Sequence, residues 1–294
     1  MKIAIYGQYY TERSQTSIDV LINELKNNNA TLIIKDAYLD LLIEANAINF
    51  KYKNLPTYSN LDESFDLLIS IGGDGTILRA ITDVLKLNIP IVGINTGRLG
   101  FLATIQENEI EDAVKAILKG EYKISERTVL SVETTSNTQP LGKLNFALNE
   151  IAVSRKNTTS MITVDTHLND EYLTSYWADG LIISTPTGST GYSLSCGGPV
   201  ITPGSNSLVL TPIAPHNLNA RPLVIPSDTK IQLKVNGREP QYLMSMDSRL
   251  VTLNNNDEVI IKEADFNIKM VELLDESFID TLRKKLLWGE DNRN

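Results

Sequence analysis

The chain of 294 residues is 42% hydrophobic and 21% charged, which excludes a disordered or fibrous protein and favours two modest folded domains. A single cysteine, Cys196, excludes a disulfide framework and a cysteine-rich zinc site, and two histidines, His167 and His216, restrict histidine-based metal or triad chemistry. With a net charge of −9 and no basic run beyond Arg283-Lys284-Lys285, nucleic acid is not the expected substrate.

The N-terminus, MKIAIYGQYY, carries no long apolar export core, and no later segment has the uninterrupted apolar length of a membrane span, so the cytoplasm is the expected compartment. Lys2–Tyr6 reads as a strand, and Ile18, Leu21, Ile22 and Leu25 fall at helical spacing after it. Thr31–Lys35 is a second strand and Ala37–Ala45 a helix. Phe65–Ile71 is a buried strand that runs into Gly72-Gly73-Asp74-Gly75, and Thr76–Leu87 follows as a helix. Pro90–Ile94 and Glu107–Leu118 supply one more strand and helix. This alternation predicts a parallel sheet covered by helices, with functional loops at the strand C-termini.

From about Arg127 the rhythm becomes β-type. Val129–Thr134, Ala147–Ser154, Ile162–His167, Gly180–Thr185, Ser207–Ile213, Lys230–Val235, Tyr242–Met246 and Val259–Lys262 are short strand-like runs separated by turn residues. They predict packed antiparallel sheets, a sandwich or related layered architecture. The next clear helix is Ser277–Leu286, around Ile279, Leu282 and Leu286, whose basic triplet reads as a solvated face. The expected fold is therefore α/β plus β. A Rossmann-like α/β domain over 1–126, completed by a C-terminal helix over 275–294, precedes a β-rich domain over 127–274.

Two segments carry chemistry. In Ile71-Gly72-Gly73-Asp74-Gly75-Thr76, glycines let backbone approach a phosphate, and amides at a helix start favour anions. A carboxylate there makes sense as a proton acceptor, a metal ligand or a partner for a hydroxyl; the structural alternative is that Asp74 merely caps the helix. In Asp179-Gly180 through Gly191-Tyr192-Ser193-Leu194-Ser195, an apolar strand empties into hydroxyls, glycines and one ring, a lining suited to a nucleotide without positive charge. Asn149-Glu150 places adjacent polar side chains inside a β-type run, and Asn95–Phe101 offers a flexible loop after a buried strand. Trp177 and Tyr176 serve equally well as packing or contact residues, and His216 reads as structural. Other motifs fail on spacing: Leu78 stands where a dinucleotide fingerprint needs glycine, Gly142-Lys143-Leu144 is no phosphate loop, and Thr187–Gly191 lacks the first glycine of a nucleophile elbow.

Taken together, Gly72-Gly73-Asp74-Gly75-Thr76, Asn95-x-Gly97-x-Leu99-Gly100-Phe101, Asn149-Glu150, Asp179-Gly180, Thr185–Thr190, Tyr192–Ser195, Gly197-Gly198-Pro199 and Ala214-Pro215-His216 resemble, in order, the NAD kinase family of bacterial type. The resemblance implies transfer of the γ-phosphoryl of ATP to the adenosine-ribose 2′-hydroxyl of NAD. It also implies a divalent metal, usually magnesium, and a homodimer or homotetramer. It makes Asp74 the proton acceptor, with Gly75 beside it and Arg79 a candidate phosphate contact. Asn149, Glu150 and Asp179 are implied to hold NAD, and Thr190, Gly191, Tyr192, Ser193, Leu194, Ser195 and Ala214 to line it. Gly191 stands where the family commonly has alanine, and Trp177 where some relatives have a basic residue; Arg249 stays outside the assigned set. The metal ligands are not assigned. Two rival readings carry weight: a diacylglycerol-type, sphingosine-type or sugar kinase sharing the Gly-Gly-Asp-Gly turn, and a catalytically silent NAD(P)-binding module, against which the carboxylate of Asp74 counts.

Overall fold

The computed structural model describes residues 1–47, 52–135, 141–142, 144–157 and 160–287. It divides into two compact units, Met1–Glu126 with the chain from Ile268 on, and Arg127–Asn267. The first contains β1 (Lys2–Gly7), α1 (Gln15–Asn27), β2 (Thr31–Lys35), α2 (Asp36–Glu44), β3 (Thr57–Tyr58), β4 (Leu67–Gly72), α3 (Asp74–Val84), β5 (Ile91–Asn95), α4 (Ile110–Lys119) and β6 (Tyr122–Arg127). The second contains β7 (Leu130–Thr134), β8 (Phe146–Ala147), β9 (Glu150–Arg155), β10 (Ile162–Leu168), β11 (Glu171–Ala178) and β12 (Gly180–Ser184). It continues through α5 (Tyr192–Ser195), β13 (Ser207–Ile213), β14 (Leu223–Pro226), β15 (Ile231–Gly237), β16 (Gln241–Met246), β17 (Arg249–Asn254) and β18 (Glu258–Glu263). Finally β19 (Ile268–Leu273) and α6 (Phe278–Leu286) belong to the first unit.

The first unit's sheet has the order β3-β2-β1-β4-β5-β19-β6, with β1–β2, β1–β4 and β4–β5 parallel. Successive strands move outward in opposite directions from β1 and from β4, the arrangement whose loops gather ligands at the strand C-termini. The sequence folds this way because its apolar spacing matches each element. Ile18, Leu21, Ile22 and Leu25 form the buried stripe of α1, and Ile77, Ala80, Ile81 and Val84 that of α3. Strand β4 is buried on both faces from Leu67 to Ile71, as a strand under helices must be. The helix expected over Glu107–Leu118 opens with a tight 3-10 turn, Glu107–Glu109, before α4.

The second unit is two antiparallel sheets, ordered β11-β10-β15-β18-β7-β8 and β14-β13-β12-β9-β16-β17 among the described residues. Alternate residues of both, such as Val132, Val164 and Leu233 from one and Ile151, Leu181 and Met244 from the other, share a single apolar core. The layered β architecture anticipated from the sequence is thus present. Two boundaries differ. The expected β-rich span of 127–274 ends earlier, because β19 pairs in parallel with β5 through Met270 and Ile91. The run expected over Ala147–Ser154 breaks at Leu148-Asn149 into β8 and β9. Residues 288–294 of the helix expected over 275–294 lie outside the described residues.

Candidate active site

At the C-terminus of β4 the chain turns through Gly72, whose φ of 149° suits glycine and whose absent Cβ leaves room for the Thr76 side chain. Gly73 is the N-cap of α3 and Asp74 its first residue, with no side-chain cap bond. The capping alternative for Asp74 therefore falls away. Its carboxylate reaches instead to the loop after β5. Oδ2 accepts the amide of Phe101 at 2.9 Å, while Oδ1 accepts those of Leu102 and Ala103, each at 3.0 Å. Gly100 makes this approach possible, since a Cβ there would overlap the carboxyl group. Asn95, 4% exposed, fixes the loop: its Nδ2 donates to the carbonyls of Arg98 and Ala103, and its Oδ1 accepts the amide of Gly97. Gly73 and Gly75 face open space, and Arg79 is exposed one helical turn further on.

In the second unit, β12 delivers Thr185 to a compact loop. Thr185 Oγ1 donates to the Leu148 carbonyl at 2.6 Å, and the Thr185 amide donates to the Asn149 carbonyl at 2.9 Å. Gly188 packs on the Asn149 backbone, where any side chain would collide. This brings Gly191 and Tyr192 onto Asn149 and Glu150. A Cβ built at Gly191 would lie 3.2 Å from Glu150 Oε2, and the Tyr192 amide faces the Glu150 carboxyl and favours its ionised form. Asn149 Oδ1 and Glu150 Oε2 are both buried without a hydrogen-bond partner within the chain. Two such oxygens side by side are costly unless something else supplies donors.

The electrostatics agree with that geometry. Burial, assisted by the charge of Asp247, pushes the Glu150 carboxyl up to about 7 against the pull of the Tyr192 amide. Burial also raises the Tyr192 phenol, with Cys196, Asp179 and Glu150 adding to the rise. Asp179, between β11 and β12, pairs with Arg155 at 2.9 Å. Tyr192 leaves its ring 45% exposed, and Ala214 is exposed with a left-handed φ of 43°.

The remaining assigned residues divide. Thr190 is half-buried with its hydroxyl on the Thr187 carbonyl, Leu194 is half-buried, and Ser195 is exposed. Ser193 is fully buried, and its hydroxyl bonds Thr211 at 2.8 Å beneath Gly198, so its side chain holds the loop together. Trp177 is 46% exposed with its ring centroid 4.5 Å from that of His216, a surface pair that neither a core role nor a metal role describes. Sequence reasoning does not find Arg155 or Asp247. No local pattern marks either residue, because their partners are distant in sequence. Among the described residues no group of three or more His, Cys, Asp or Glu side chains is placed to hold a metal, and no helix is long and apolar enough to cross a membrane.

A parallel α/β unit with a glycine turn that presents a carboxylate, and a β-sandwich unit with two buried, unpartnered oxygens beside an open ring, define a nucleotide-binding protein of two units. The description "ATP-NAD kinase N-terminal domain" matches residues 11–122, and "ATP-NAD kinase C-terminal domain" matches residues 148–273. Over its full length the chain is 59% identical to the full-length NAD kinase of Christiangramia forsetii. It is 56% identical to that of Flavobacterium psychrophilum, again over the whole of both chains. The chain belongs to the NAD kinase family. Among solved structures it resembles an NAD kinase from Archaeoglobus fulgidus in complex with ATP, with a TM-score of 0.74 and 26% identity over 98% of this chain and 99% of that one. It shares the fold of yeast NADH kinase complexed with NADH, with a TM-score of 0.85 and 24% identity over 100% of this chain and 89% of the other. Family membership sets aside the lipid-kinase and sugar-kinase alternatives and does not favour a silent binding module.

Proposed function

We propose that the chain phosphorylates the 2′-hydroxyl of the adenosine ribose of NAD with ATP, giving NADP and ADP. The observation that carries this reading at the level of residues is the pair of buried, unpartnered oxygens of Asn149 and Glu150 beside the amide and ring of Tyr192. A base amine and ribose hydroxyls supply the donors those oxygens lack, and the tyrosine ring offers a face to a planar base. Asp179, steadied by Arg155, adds a carboxylate to the same binding surface. Gly191, Thr190, Leu194, Ser195 and Ala214 line it, with Ser193 acting through its backbone.

Asp74 is the base in this reading. Oδ1 already accepts two amides and Oδ2 only one, so Oδ2 is the oxygen with capacity for the 2′-hydroxyl proton. The ribose oxygen then attacks the γ-phosphorus, the bond from that phosphorus to the β,γ-bridging oxygen breaks, and ADP leaves. Such transfer depends chiefly on positioning and charge neutralisation. The amides at the open start of α3, with Gly75 exposed and Arg79 a turn further, suit phosphate oxygens. A divalent cation, Mg²⁺ in this reading, would be held chiefly by the triphosphate oxygens and water, as that ion commonly is. When bound, it neutralises phosphate charge.

We also propose that the reaction takes place in the cytoplasm, as the absence of an apolar export core in MKIAIYGQYY leads one to expect. We further propose a homodimer or homotetramer, since β11 is an eight-residue sheet edge of the kind that proteins cover or pair. Light scattering of a fully active monomer would overturn that assignment. For the reaction itself, purified protein is incubated with ATP, Mg²⁺ and NAD, and the products are separated. NADP formed at the expense of ATP is the expected result; its absence, or faster phosphorylation of a lipid or sugar acceptor, refutes the reading.

A further inference from the structure

The turn between β16 and β17 holds a carboxylate where turn residues ordinarily meet water. The Asp247 side chain is 1% exposed although Ser248 beside it is exposed. Three consecutive amides point at it: Leu148 to Oδ2 at 3.0 Å, Asn149 to Oδ1 at 2.8 Å and Glu150 to Oδ1 at 3.2 Å. The Asp247 amide returns a bond to the Glu150 carbonyl at 3.0 Å. Arg249 stands 3.8 Å from Oδ2 and also donates to the carbonyls of Leu144 at 2.8 Å and Phe146, so it ties the approach of β8 to the same turn. Burial outweighs the three amides and Arg249, so the Asp247 carboxyl is raised from its ordinary range even though those four groups pull it down. Every partner here is a donor, which is the surrounding an ionised carboxylate requires.

This arrangement explains why β8 and β9 are separate strands. Leu148 and Asn149 stand outside regular pairing and, with Glu150 at the start of β9, turn their amides on one anion. The result is that adjacent side chains, Asn149 and Glu150, are held beside Tyr192 with an oxygen each left open.

We propose that Asp247 is a positioning residue of the NAD site, which through the amides of Leu148, Asn149 and Glu150 sets the geometry of the two side chains that receive the nucleotide. This rests on the assignment of Asn149 and Glu150 to NAD. Asp247 touches no substrate in this account. Its second effect is electrostatic: its charge opposes ionisation of Glu150, which is also faced by the Tyr192 amide from α5, with Asp179 and its partner Arg155 lying across Tyr192 and Arg249 pairing with Asp247 itself.

Asp247→Asn is the informative change, because asparagine tolerates the left-handed φ of 52° at this position and keeps the side-chain shape. It removes the charge and turns an NH₂ toward at least one amide. The expected result is a KM for NAD raised by about 5- to 100-fold, with kcat changed by less than about threefold and the KM for ATP unmoved. The pH at which NAD affinity rises also moves downward, because Glu150 ionises more readily without its neighbour's charge. An unchanged KM for NAD, a loss confined to kcat, or an unmoved pH limb in the folded variant would overturn the proposal. Asn149→Ala is measured alongside. If it leaves NAD affinity intact, the assignment of the site fails; if it weakens NAD while Asp247→Asn does not, only the positioning role fails. Should Asp247→Asn not fold, hydrogen exchange on the unsubstituted, NAD-free protein decides. Slow exchange of all three amides supports the proposal, and fast exchange of them contradicts it.

Discussion

Glu150→Gln separates the demands of binding from those of stability. The carboxyl is buried, and its pKa rises from 4.5 in the unfolded chain to about 7 in the folded one. A group whose folded pKa is raised contributes stability that is fully present below the unfolded value and is lost as pH rises through the folded value. At ~1.4 kcal/mol per pH unit, ionised Glu150 therefore costs the NAD-free protein about 3 kcal/mol well above pH 7. At about pH 5.5 that cost is only about 1.4 kcal/mol. Glutamine fills nearly the same space and never ionises. It should stabilise the NAD-free protein by about 2 kcal/mol more at pH 8.5 than at pH 5.5, while weakening NAD binding because a ribose hydroxyl loses its charged acceptor. The assay is urea denaturation at both pH values, followed by Trp177 fluorescence in a Trp288→Phe background so that the second unit is observed. An equal gain at both pH values, or a loss at the higher one, would refute the reasoning that the Glu150 carboxyl is held at an energetic cost for its ligand.

Asn149→Ala should weaken NAD by about 1–3 kcal/mol through loss of hydrogen bonds in a desolvated site, with the fold intact; calorimetry showing unchanged affinity would remove Asn149 from the site. Gly100→Ala should displace the loop that grips Asp74, since the added Cβ has no space beside that carboxylate. A kcat lower by about tenfold or more, at roughly 1–3 kcal/mol of lost stability, is expected from steady-state kinetics and melting, and normal turnover would contradict the close approach.

The parts of the fold written in local spacing are legible in the sequence. Helix stripes such as Ile77, Ala80, Ile81 and Val84, and double-buried strands such as β4, announce themselves because burial on one face or two imposes a period. The parts that depend on distant partners are not. Ile268–Leu273 is an apolar run like those before it, and only its pairing with β5 assigns it to the first unit. Strand β11 is exposed or half-buried up to Ser175 and buries only Tyr176 and Ala178, and so shows no alternation along its length. At the site, the glycine turn and the Asn149-Glu150 pair are visible as residue types. What Asp74 contacts is decided by a loop nearly thirty residues on, at Phe101, Leu102 and Ala103. Asp247 escapes notice because its partners, Leu148 to Glu150, lie about a hundred residues away. Ser193 looks like a ligand hydroxyl by composition, but its hydroxyl is taken by Thr211, a partner eighteen residues on.

The central claim is that Asp74 accepts the proton of the 2′-hydroxyl, and kinetics of Asp74→Asn test it most directly. Asparagine keeps the size of the side chain, and its one carbonyl oxygen can still accept amides of the 101–103 loop, yet it cannot serve as the base. Loss of general-base catalysis is typically worth about 10²–10⁴ in rate. The account predicts a folded variant that binds NAD normally in calorimetry and turns over at least about a hundredfold more slowly. Near-normal kcat in that folded, NAD-binding variant would contradict it.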